Sequence, residues 1–180
     1  MGQISLMLAT MNDAQRQERV RALQSQLPTD LAAGAGALKR HEEGTDKQAA
    51  RLHAMLEVAY LAASADDHLD EAEIEVLVAN LTSWLGNELD GTFLVELFDH
   101  LGQQLAAEGF QARLAACAKE LDTEARRVAY KFACVTALAD HVVHDDELAF
   151  LGGIADAFGI PADEAQKMFD ELDEAVSALA

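Results

Sequence analysis

Residues 65–74, ADDHLDEAEI, set Asp66, Asp67, His68, Asp70, Glu71 and Glu73 between two apolar stretches. The segment upstream, QAARLHAMLEVAYLAASAD (48–66), has apolar residues at Leu52, Met55, Leu56, Ala59 and Ala63, and again at Val58, Leu61, Ala62 and Ala65. Apolar side chains on every side of a helix need partners on every side, so the segment predicts a central, buried helix. Downstream, Ile74, Leu77, Val78, Leu81, Trp84 and Leu85 recur at the spacing of one helix face. Asp70 and Glu73 are spaced as a capping box at the start of that helix, and Gly86-Asn87 stop it. The stretch therefore reads as the corner between two helices.

The rest of the chain keeps the same period. Helices are expected over 91–107 and 109–120, with a break near Glu108-Gly109. Another opens near Asp122-Thr123 and turns apolar on most sides from Val128 to Ala139. Leu148, Leu151, Ile154, Ala155 and Phe158 mark the face of the next, and Pro161 stands where the first residue of a last helix belongs. That helix carries Ala165, Met168, Phe169, Leu172, Val176 and Leu179. Near the N-terminus a helix from about Asn12 to Leu27, stopped by Pro28, has only a thin apolar stripe and is expected on the outside. A glycine-containing loop or broken helix follows it. With two prolines and no segment of period two, the chain reads as all-α. It is expected to form a helical bundle of about seven to eight helices. Residues 1–46 form a helix-and-loop extension, and 47–180 the main domain.

The corner recurs. Residues 139–148, ADHVVHDDEL, lie 74 positions after the first stretch. At this offset Ala59/Ala133, Ala63/Ala137, Ala65/Ala139, Asp66/Asp140, Glu73/Glu147 and Leu77/Leu151 are identical, without a gap. Apolar helices resemble one another cheaply, but an Asp and a Glu seven residues apart around equally long turns do not. Two pseudo-symmetric helix–turn–helix halves are expected.

The net charge of −19 is uneven: residues 1–53 carry +1 and residues 54–180 carry −20. A surface that negative repels nucleic-acid phosphates and anionic lipid head groups, and attracts cations and basic protein surfaces. The N-terminal apolar run, Ile4 to Met11, is too short to span a bilayer and lacks a basic region before it. A cytoplasmic protein is expected, with protein partners, no nucleic acid and no direct membrane insertion. Cys117 and Cys134 sit in apolar helical text and read as reduced core residues.

The corners carry the chemistry. Asp66 and Asp140 fall at the C-terminal end of a helix, where the dipole disfavours a carboxylate by about 0.3–1 kcal/mol. A bound cation offsets this, and so does a set of N–H donors in an Asx-type turn. Glu73 and Glu147 open the next helix, and the turn brings them back toward the Asp. Asp70 and its counterpart His144 stand between. Asp66, Asp70, Glu73, Asp140, His144 and Glu147 are thus candidate ligands for Ca²⁺, Mg²⁺ or Mn²⁺, with His144 opening the second corner to Zn²⁺. The spacing is not that of an EF-hand loop. The competing reading is that these acids only cap turns and helices, so that the acidic face simply docks a basic partner. His53 and His100 stand alone on helices and read as surface or half-buried residues. No nucleophile or general-base pattern accompanies the acids, so no enzyme is expected.

At these residues the chain resembles the tellurite-resistance TerB-like family. ADDHLDEAEIEVL and ADHVVHDDELAFLGGIADAFGI are similar to its two signature turns: Asp66 and Asp140 match the family Asp, Glu73 and Glu147 its Glu, and AFGI (157–160) its closing stretch. The glycine that follows each family Asp is replaced by Asp67 and His141. The likeness covers roughly 48–180. It implies an all-helical, pseudo-symmetric fold, metal binding, and a stress-response role near the membrane with other Ter-type or membrane-associated proteins. A similar module occurs in a membrane J-domain co-chaperone, but the His-Pro-Asp motif is missing here, so chaperone stimulation is not implied.

Overall fold

The computed structural model describes residues 47–65, 69, 71–85, 89–139, 143 and 145–178, together with Gln15, Glu18, Arg21, Ala22, Leu23 and Ser25. All regular structure among them is helical: α1 Lys47–Ala63, α2 Glu71–Trp84, α3 Gly91–Glu108, α4 Phe110–Glu120, α5 Thr123–Ala139, α6 Asp145–Phe158 and α7 Ala162–Ser177. The described positions between 15 and 25 are helical too, as the expected first helix requires. Gln15, Glu18, Arg21 and Ser25 are exposed, whereas Leu23 is fully buried in the common core.

The centre is the pair α1 and α5, which pack against each other more extensively than any other two helices. Both are apolar on most sides: Leu52 and the whole run from Ala54 to Ala62 are buried in α1, and so is the run from Phe132 to Leu138 in α5. A helix of that kind gains its stability only when covered all round, by α3, α4 and α6 on α1, and by α6 and α7 on α5. The outer helices are amphipathic and present one face each. Leu77, Leu81 and Trp84 are the buried stripe of α2, and Ala165, Met168, Leu172 and Val176 that of α7. Trp84 meets Phe132 of α5 edge-on, with ring centroids 5.7 Å apart. Among the described residues no helix is long and apolar enough to cross a membrane.

The helix boundaries have local causes. Asp90 caps α3, its carboxylate accepting from the Phe93 N–H at 2.8 Å, and Asp122 does the same for α5 through the Ala125 N–H at 2.8 Å. Gly109, at φ +82°, separates α3 from α4 where the sequence places the break, in a region that costs a side chain strain. Arg126 closes the end of α4, donating to the carbonyls of Ala118 and Leu121. Gly102 lets α3 approach α1: a Cβ there would stand 2.9 Å from the Tyr60 hydroxyl, whose ring stacks on Phe98.

Two expectations need correction. Pro161 is the N-cap of α7, one place before the expected first helical residue. It serves as well there, because its extended ψ of 143° turns the chain in and its carbonyl accepts the Ala165 N–H at 2.9 Å. Leu148, assigned to the core face of α6, is 44 % exposed. It lies in the first turn of α6, and burial on that helix begins one turn later, at Leu151. Leu179 lies outside the described residues.

Candidate functional site

The corner residues are brought together by α2 and α6, which begin and end 74 positions apart and are both 14 residues long. Acids gather in their first turns: Glu71 and Glu73 in α2, and Asp145, Asp146 and Glu147 in α6. There the carboxylates meet the positive end of the helix dipole. Glu73 is exposed and Glu147 half-buried. Both line one cavity of about 140 Å³, enough for an ion with several waters. Of the other sequence-selected ligands, Asp66, Asp70, Asp140 and His144 lie outside the described residues. Among the described residues no three His, Cys, Asp or Glu side chains converge as a metal site.

The cavity draws on both corners in matched pairs. Ala62 and Thr136, Ala63 and Ala137, and Glu73 and Glu147 all line it, and each pair is separated by 74 residues. The small residues at the ends of α1 and α5 leave the space, and the acids of α2 and α6 border it. Asp146 adds a third carboxylate. Ala65 and Leu69 of the first corner, and Val76, Leu77 and Asn80 of α2, complete the wall. Glu73, Val76, Leu77 and Asn80 stand at i, i+3, i+4 and i+7, one face of the helix. The cavity therefore follows α2 from an acidic end to an amide end. Thr136 uses its hydroxyl proton on the Phe132 carbonyl at 2.8 Å, which leaves only acceptor lone pairs for anything in the cavity.

Asn80 and Thr136 went unselected in the sequence. The signal for Asn80 was there: it interrupts an otherwise apolar run between Val78 and Leu81, one turn after Leu77. A polar residue at a core position needs a partner or a purpose.

A second polar group lies between α1 and α4. Glu57 is 3 % exposed inside the apolar run of α1. Arg113 of α4 holds it in a bidentate pair, Nε to Oε1 at 2.6 Å and Nη2 to Oε2 at 2.9 Å, and reaches Glu108 at 3.2 Å. The planar guanidinium matches the carboxylate fork, which is why an arginine serves here. The neighbouring groove of about 500 Å³ is also lined by His53, Cys117 and Glu120. Burial holds the His53 imidazole below its ordinary pKa, so it is neutral. Burial, helped by the Glu57 charge, pushes the Cys117 thiol well above the usual range. A protonated thiol, a neutral imidazole and an arginine already committed to two carboxylates form a structural cluster, without an activated nucleophile. His100 is exposed.

The corners match a known pattern as well as each other. The family model for tellurite resistance protein TerB aligns with residues 52–169, from the buried part of α1 into α7. No curated protein and no solved structure matches the chain. The matched span takes in both corners, all the residues of the shared cavity and the Glu57–Arg113 pair, and covers well over half of the chain: this protein belongs to the TerB family.

Proposed function

We propose that this TerB family member is a non-enzymatic, cytoplasmic protein that binds a divalent cation between its two acidic corners and acts in a tellurite-type stress response through protein partners. One observation carries the reading: Glu73 and Glu147, 74 residues apart, line a single cavity. The reading favours a hard cation, because the described polar side chains lining the cavity supply oxygen donors. Asp66 follows directly on Ala65, itself a lining residue, and Asp140 is its counterpart at the offset of 74. These four acids are the proposed ligands, with Asp70 and His144 as auxiliaries. A bound cation would neutralise charge at the most acidic part of the chain and tie the two corners together. The pseudo-twofold relation of the halves follows the same logic, each corner contributing one acid pair.

Calorimetry of the full chain with Ca²⁺, Mg²⁺, Mn²⁺ and Zn²⁺ tests this. Saturable binding that is lost in Glu73→Gln/Glu147→Gln is expected. Heats no larger than those of nonspecific screening, or binding unchanged in the double variant, would refute it.

A second reading draws on the exposed acids of α2 and α6, Glu71, Glu75, Asp145 and Asp146, which form a surface suited to a basic partner. A partner retained after chelation but released by salt would favour docking without a metal.

A further inference from the structure

The seam between α1 and α4 is built unlike the apolar contact of α1 with α5. From α1 come Ala50, His53, Ala54 and Glu57, at i, i+3, i+4 and i+7, and from α4 come Arg113, Cys117 and Glu120, at i, i+4 and i+7. Small side chains on both helices, Ala112 and Ala116 among them, leave a groove of about 500 Å³ along the seam, through which water reaches the polar groups. A charge pair, Glu57 with Arg113, bridges the two helices. At 11 residues α4 is the shortest described helix. It joins α3 through Gly109, at φ +82°, where a Cβ would meet open space.

Two pairings are open to the same groups. In the observed one, Arg113 holds Glu57 and also reaches Glu108 at the end of α3. In the other, Glu57 turns to His53, one helical turn away on α1, and Arg113 keeps Glu108. Neither pairing leaves a charge alone. The second needs a protonated imidazole, and it removes the hold of α4 on α1.

We propose that this seam is an acid-sensitive latch: protonation of His53 moves Glu57 from Arg113 to the imidazolium and lets α4 swing away from α1 about Gly109. The latch is independent of any cation between the corners. Its sign follows from burial. The imidazole in the closed seam is desolvated, which disfavours its charged form. Glu57 on its own helix and Glu120 of α4 favour that form, while Arg113 of α4 and His100 of α3 oppose it. Glu108, Lys119 and Cys117 line the same groove. Burial is the largest of these effects, so the closed seam binds the proton more weakly than an open one in which water surrounds the ring. Acid below about 6.5, the ordinary value of a histidine, therefore shifts the balance toward the open form.

The two thiols supply the test. Cys117 lies on the seam, and Cys134, buried on α5, is the internal control. The full chain is labelled with a dithiodipyridine reagent from neutral pH down to about 5.5, across the histidine range. The ratio of the Cys117 rate to the Cys134 rate is followed, so that the pH dependence of the reagent cancels. In the wild type the ratio should rise by about threefold or more as pH falls. It should stay flat in His53→Asn and His53→Gln, and rise as in the wild type in His100→Asn. Proton NMR of the wild-type chain should show His53 titrating below its ordinary value. A wild-type ratio that does not change with pH would overturn the latch, as would an equal rise in both His53 variants. So would a His53 that titrates at or above about 6.5 in the folded chain. Acid unfolding of the whole molecule raises both rates together and leaves the ratio flat, which also counts against it.

Discussion

The two halves of the molecule place their polar groups differently. In the first, Glu57 is buried within α1 and Asn80 within α2. At the offset of 74, the second half has Lys131, half-buried, and fully buried Ile154. Val76 lines the cavity, while its counterpart Phe150 packs on Phe110 of α4 with ring centroids 4.1 Å apart. The second half is thus closed by apolar side chains where the first is left open and polar. Thr136, the neutral polar group that the second half brings to the cavity beside Asp146 and Glu147, satisfies its donor within its own helix. Two corners of the same length and acid spacing have been put to different uses. The second mainly supplies packing, and the first supplies the wall of a cavity and a buried charge.

The largest expected effect comes from removing the partner of that charge. Arg113→Leu leaves Glu57 buried and unpaired and should destabilise the chain by about 3–5 kcal/mol in chemical denaturation. Adding Glu57→Leu should recover most of the loss, since a well-packed apolar pair can replace a buried ion pair. If the double variant is no better than the single one, the pair is not the reason the first half tolerates an internal acid. Next comes a swap across the comparison. Ile154→Asn gives the second half the amide of the first without its cavity, and should cost about 2–4 kcal/mol from lost packing and an unpartnered polar group. A loss well under 1 kcal/mol would show the halves to be less different inside than they look.

The join between the halves offers a smaller test. Gly109→Ala forces a side chain into the φ +82° conformation between α3 and α4 and should cost about 1–3 kcal/mol in denaturant melts. The smallest effect belongs to pH. His53 is held below its ordinary pKa chiefly by burial, so the unfolded chain binds a proton more readily than the folded one. Its contribution is complete above the unfolded value of about 6.5 and is lost as pH falls below it toward the folded value. Stability should therefore decline from neutral to mildly acid pH less steeply in His53→Asn than in the wild type. Identical slopes would mean that the imidazole is not desolvated beside Glu57 and Arg113.

Much of this architecture is legible in the residues themselves. Periodicity and punctuation mark α2 through Ile74 to Leu85, and the break at Gly109, because these depend on neighbours within a turn. The apolar-all-round stretch in α1 predicts a centre and is one. Leu148 misleads because a stripe gives the direction of a face but not how far along the helix the core reaches. Glu57 carries a legible warning, a charge in an apolar run, yet its partner lies 56 residues away and could have been any of several basic side chains. Asn80 is harder still. Only the coincidence of α2 with the ends of α1 and α5 turns a polar blemish in a stripe into the lining of a cavity. Glu73 and Glu147 were found from their matched spacing, and that they share one space is a property of the packing.

The shielding of the sulfur atoms has a practical consequence. Cys117 and Cys134 are both buried, and burial raises both thiols, Cys134 to about 12. An alkylating reagent at neutral pH thus meets neither thiolate in the folded chain. Labelling will report only molecules that have opened around α4 or α5. The protein carries its own stopwatch for core exposure, one that a bound cation bridging the corners should slow at Cys134 more than at Cys117.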